Sequence, residues 1–79
     1  MRILSLTATS RYATRLVRKA GEPVAPADLV RWLEALDIDT ERAEAGIRLA
    51  LIGARLEAVT DDDQRPCLAI PDPREAAAA

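Results

Sequence analysis

The 79-residue chain has no histidine, no phenylalanine and one cysteine. Lacking histidine, it lacks the side chain that most often serves as general base near neutral pH and as metal ligand. A single thiol, Cys67, cannot close an intramolecular disulfide, which points to a reducing, cytoplasmic setting. Its aromatics are Tyr12 and Trp32, too few for the stacking platforms that bind single strands or RNA. The opening MRILSLTATSRYATRLVRKAG holds a short apolar run broken by polar residues, so neither a signal peptide nor a membrane span is expected. Glycine-rich phosphate loops and metal-ligand spacings are missing, and no serine or cysteine has an evident base beside it. The expectation is a non-enzyme with no cofactor, metal or small-molecule substrate.

What is present is charge, unevenly placed. The net charge of −2 conceals a basic start: residues 1–20 carry Arg2, Arg11, Arg15, Arg18 and Lys19 and no acid. Residues 21–60 carry eight acids against four arginines, and residues 61–79 five acids against two. Such polarity governs the choice of partner and the rate of encounter, not the fold.

The chain reads as one domain over residues 1–72 with a frayed, flexible tail at 73–79. Residues 2–8 (RILSLTA) alternate loosely and predict a short strand. Thr9 or Ser10 then caps a first helix to about Ala20, with Tyr12, Leu16 and Ala20 on an apolar stripe beside Ala13 and Val17. Arg11, Arg15, Arg18 and Lys19 fall on the opposite side, and Gly21 is placed to end the helix. Glu22-Pro23-Val24-Ala25 is an extended link. A second helix runs from about Pro26 to Leu36, with proline at its first position, Asp28 in its first turn and a core face of Leu29, Trp32, Leu33 and Leu36. A tight turn and a cap at Asp39 or Thr40 open a third helix, Thr40 to about Ile52. One of its faces is Ala43, Ile47, Ala50, Leu51 and Ala54; a second, rotated from it, is Leu49, Ile52 and Leu56. Gly53 is placed to stop it. Residues 55–60 and 66–70 form a hairpin around Asp61-Asp62-Asp63-Gln64, the alternative being that 54–60 prolong the helix.

The sequence LVRKAGEPV at 16–24, PADL at 26–29, the helix from Thr40 and the hairpin from Leu56 to Ile70 together resemble a winged helix-turn-helix domain. The resemblance covers residues 11–70 and implies an α+β, mainly helical fold: a three-helix core, a C-terminal β-hairpin and, here, a short N-terminal strand. In DNA-binding members the start of the third helix enters the major groove. The matching positions here are Thr40, Glu41, Arg42, Glu44 and Arg48, preceded by Asp37 and Asp39. Those acids, and Asp61, Asp62 and Asp63 at the wing tip, stand where phosphates would lie, which departs from the family's DNA-reading pattern.

Three classes of function follow, one of them a structural or assembly subunit with no activity of its own. A protein-binding regulator or inhibitor would use the Arg11/Arg15/Arg18/Lys19 stripe, or would mimic phosphates with Asp37, Asp39, Glu41, Glu44 and Asp61–Asp63 to block a nucleic-acid-binding complex. By size, charge and scaffold it is similar to the small inhibitors of phages and mobile elements, anti-CRISPR proteins among them. The alternative is a DNA-binding transcriptional regulator contacting DNA through the basic first helix as a dimer. Charge placement favours the protein partner. The bland reading of the stripe is a solvated helix face, and that of the aspartate run an acidic hairpin tip. Cys67 reads as a small hydrophobe under the wing, and Leu49, Ile52 and Leu56 as a homodimer seam or as ordinary core.

Overall fold

The computed structural model describes residues 5–71. It is α+β and mostly helical: α1 (Leu6–Ala20), α2 (Pro26–Glu34), α3 (Thr40–Ile52), then an antiparallel hairpin of β1 (Glu57–Thr60) and β2 (Pro66–Ala69). The register sets Glu57 against Ala69 and Thr60 against Pro66. Val24, in the link between α1 and α2, exchanges both backbone hydrogen bonds with Leu68 at 2.8 Å, so β2 lies between Val24 and β1. This ties the α1–α2 link to the far end of the chain.

The expected N-terminal strand gives way to helix. Residues 2–4 lie outside the described residues, as does the tail expected at 73–79, but Leu6, Thr7 and Ala8 form the first turn of α1. The cap is Ser5, not Thr9 or Ser10: its side chain accepts from Ala8 N–H at 3.1 Å. Thr9 and Ser10 are instead fully buried in the helix interior. The Thr9 hydroxyl donates to Ser5 O and the Thr14 hydroxyl to Ser10 O, both at 2.9 Å, which lets threonines sit inside a helix. Thr9 is buried because α3 crosses there on Gly46: a Cβ on Gly46 would stand 2.9 Å from Thr9 Cβ and overlap Thr9 Cγ2. Small residues (Thr9, Ser10 and Ala13 on α1; Ala43, Gly46 and Ala50 on α3) are all buried, and α1 packs more extensively on α3 than on α2.

The other helix ends follow their local chemistry. Gly21 closes α1 with φ 72°. α2 starts with proline and stops at Glu34, two residues short of the expected Leu36. Asp37 takes φ 64°, with Asp37 N–H on Glu34 O (3.0 Å) and Ile38 N–H on Leu33 O (3.3 Å), the paired bonds of a Schellman ending. Its hydrophobic partners Leu33 and Ile38 are both buried. Asp39 caps α3 by accepting from Arg42 N–H at 2.7 Å. At the far end Gly53 has φ −81°, and the left-handed residue is Ala54, φ 58°.

The core joins Ala13, Val17, Val24, Leu29, Leu33, Ile38, Ala43, Ile47, Ala50, Leu56 and Leu68. Two members of the expected α2 face are outside it: Trp32 is 41% exposed, and Leu36 is exposed in the turn. Leu29 and Leu33 fill the available width, and the helix ends before Leu36 can follow them inward. Residues 57–60 are strand, not a continuation of α3.

Candidate functional site

Three surfaces carry the residues singled out above. The first is the outward side of α1. Ala13 and Val17 face the core, and 100° per residue turns Arg11, Arg15, Arg18 and Lys19 away from it. All four are exposed. Tyr12 borders this face at 38% exposure, with the Arg15 guanidinium carbon 5.7 Å from its ring centroid, a cation–π contact. A shallow recess of about 230 Å³ runs along it, lined by Ser5, Thr7, Ala8, Arg11, Tyr12 and Arg15. Arg18 and Lys19 fall in the last turn, where cations suit the negative end of the helix dipole.

The second surface is acidic, and the fold divides it. Asp37, Asp39 and Glu41 cluster at the α2–α3 turn, and Asp39 and Glu41 share a recess with Leu6 and Arg42. Asp61 and Asp62 sit at the opposite end of α2, beside its first turn. There they meet two acids not grouped with them on sequence, Glu22 and Asp28, around a recess of about 530 Å³ that also touches Pro23, Thr60 and Cys67. Sequence separation hid this pairing; the signal was Val24, whose β-spacing allows it to pair with the hairpin. Several of these carboxylates already hold backbone. Asp39 is a cap, and Asp61 Oδ1 accepts from Asp63 N–H (2.9 Å) and Arg65 N–H (2.8 Å), fixing a three-residue loop whose last residue, Gln64, is left-handed at φ 61°. Asp28 lies 3.6 Å from Arg31 across exposed surface. Asp62, Asp63 and Glu44 are exposed.

Cys67 is buried beneath this acidic rim. Its Sγ–H donates to Asp61 Oδ2 at 3.9 Å. Burial first, then the negative charges of Asp61 and Asp28 and the hydrogen bond to Asp61, push the thiol up from its ordinary value. A thiol held protonated is a poor nucleophile and a poor metal ligand. Among the described residues no group of three or more His, Cys, Asp or Glu side chains is arranged to hold a metal ion.

The third surface is apolar. Of the expected seam, Leu56 is 1% exposed and belongs to the core, so it cannot face a second copy. It follows the helix end, where its N–H turns back to Ala50 O at 3.2 Å. Leu49 (37% exposed) and Ile52 (77%) remain outside. No helix among the described residues is long and apolar enough to cross a membrane. No known protein family, curated protein or solved structure matches the chain.

Proposed function

We propose that this is a non-catalytic binding module on a winged-helix scaffold, which holds a protein partner against the outward face of α1. The scaffold reading is supported by element order and by Val24, which pairs with β2 as the short strand after the first helix does in winged-helix domains. The observation that carries the function is the placement of charge. Four exposed cations stand together on α1, whereas the start of α3, the family's groove-reading element, presents Asp39, Glu41 and Glu44 to solvent. Affinity for DNA comes largely from neutralising phosphates, and these carboxylates oppose it. A small regulator or inhibitor that acts by occupying a partner's surface needs nothing more than such a face; the size and charge shared with anti-CRISPR-type inhibitors fit that role.

The second reading, DNA held by α1, is favoured by the same four cations. Titration of labelled duplex DNA, beside cross-linked capture of protein partners, separates the two. The protein reading expects weak, sequence-indifferent DNA binding that fades between about 50 and 200 mM salt. It also expects a protein complex lost in the R11E/R15E/R18E variant with the helical circular dichroism unchanged. Tight, sequence-selective DNA binding would overturn it: abolished by R48A, it would place the duplex on α3; abolished by R11E/R15E/R18E alone, on α1.

A further inference from the structure

The hairpin leaves one of its two edges open. Leu68 turns both its N–H and its C=O toward Val24, away from β1. Its partner Ala58 therefore turns both of its own away from β2, because opposed residues of an antiparallel pair are bonded alternately. The Asp61 N–H donates to Arg65 O at 3.0 Å, so the alternation holds along the strand and Thr60, like Ala58, faces outward. Among the described residues no backbone group meets Ala58 or Thr60 on that side. α1 and α2 both pack on β2, and no helix packs on β1 to that extent. The opposite edge is closed: Val24 takes Leu68, and Pro66 has no N–H to offer.

The open edge is uncharged in its middle and acidic at both ends. Glu57, Val59 and Asp61 project to one face of the hairpin, Ala58 and Thr60 to the other. Asp61 and Asp62 border the recess that also holds Glu22 and Asp28. Arg65 on the hairpin and Arg55 just before it are exposed, and among the described residues neither forms an ion pair with these acids. We propose that the free edge of β1 takes an extended, basic segment of a protein partner as a further antiparallel strand. Two residues of that segment exchange four backbone hydrogen bonds with Ala58 and Thr60. Between them a β-branched side chain lies opposite Val59, and a lysine or arginine stands opposite Glu57 and another opposite Asp61, where cross-strand neighbours come within about 5 Å. Charge names the occupant, since each end of the pairing offers a carboxylate. A second copy of this chain fits poorly. The two-fold register that engages Ala58 and Thr60 of both copies sets Val59 against its mate and Glu57 against the other copy's Asp61, like charges directly opposed. This edge is independent of the reading of α1 as a binding face, and its test keeps the two apart.

The probe is a synthetic peptide with the core lysine-threonine-valine-threonine-lysine, titrated into the isotope-labelled protein. It should move the amide signals of residues 57–62 and, at saturation, slow hydrogen exchange at Ala58 and Thr60 by about tenfold or more. The same peptide with proline for both threonines keeps the charge but loses the two N–H groups that face β1, and should bind about tenfold more weakly. Ala58→Pro removes an outward N–H while leaving the β1–β2 ladder its bonds, and should weaken the lysine peptide in the same way. Glu57→Lys with Asp62→Lys, at positions outside the core, should weaken it about tenfold too; if Ala58→Pro fails to fold, this reversal and the proline peptide decide. The R11E/R15E/R18E variant should bind the lysine peptide no less well than the wild type. Equal binding of the two peptides overturns the proposal, as does binding without slowed exchange at Ala58 and Thr60, or binding that the charge reversal leaves unchanged. Loss in R11E/R15E/R18E would move the contact to α1 and overturn it. Slowed exchange that grows with protein concentration, without peptide, would assign the edge to a second copy and overturn it as well.

Discussion

Ser10 is fully buried where α1 meets α3, and no group among the described residues bonds its Oγ. A buried hydroxyl without a partner costs on the order of 1–3 kcal/mol, while the same shape without the oxygen costs nothing in hydrogen bonds. Ser10→Ala should therefore raise stability by about 1 kcal/mol, a rise of roughly 4–8 °C in the melting temperature of a domain this size; a fall would mean that the hydroxyl has a partner. Cys67 adds a dependence on pH. Its ordinary value is 9.0 and the fold raises it. Below pH 9 both states hold the proton and stability is flat in this group. Above it the unfolded chain loses the proton first, so stability falls until the pH passes the folded value. Thermal unfolding from pH 7 to 10 should show a steeper loss for the wild type than for Cys67→Ala, the two chains differing only at this thiol. Parallel curves would contradict the raised value. The same protonation predicts slow alkylation of Cys67 in the native protein at neutral pH.

The helices owe their positions to their ends, and most of those ends are legible in the residues. Proline at the start of α2, Asp39 before α3 and Gly21 after α1 act through local bonds that the sequence displays. The start of α1 was not legible, because LSLTA suits a strand by alternation and a helix once Ser5 caps it. What decides is Gly46, 37 positions on from Thr9, and no local pattern contains that contact. Trp32 misled for the same reason: its spacing is that of a core face, but two leucines fill the space. Gly46→Ala should thus cost about 1–3 kcal/mol by overpacking against Thr9. Thr9→Ser, which removes the crowding methyl, should recover part of that loss in the double variant, and strict additivity in chemical denaturation would contradict the close crossing. The end of α3 makes a finer point. The glycine occupies a position of negative φ at 53 (φ −81°, ψ 6°), open to any residue, while alanine bears the left-handed one at 54. Exchanging them, Gly53→Ala with Ala54→Gly, should stabilise by about 1 kcal/mol, since alanine is strained by roughly 1–2 kcal/mol at positive φ. A destabilised exchange would mean that the Ala54 methyl, or the space above Gly53 near Leu49 O, matters more than the backbone.

At the scale of the molecule, the fold sorts charge that the sequence only segregates. Cations cover the outer side of α1, and the acids part into two groups at the ends of α2, which makes a single continuous phosphate-mimicking surface a poor description. The same sorting bears on self-association. A dimer seam of Leu49, Ile52 and Leu56 would have offered three side chains per copy, but Leu56 is already spent on the core. Full burial of one such side chain is worth about 1.5–3 kcal/mol, and Leu49, at 37% exposure, has only part of that left to give. Against this stands an association cost of about 4–15 kcal/mol. These terms do not reach the roughly −8 kcal/mol of a micromolar dimer. The protein should accordingly run as a monomer in light scattering at roughly 50 µM, well above such a dissociation constant, and raising the salt should not make it associate through apolar surface alone. A dimer mass under those conditions, lost in Ile52→Glu, would show that the exposed apolar end of α3, Leu49 and Ile52, closes on a second copy.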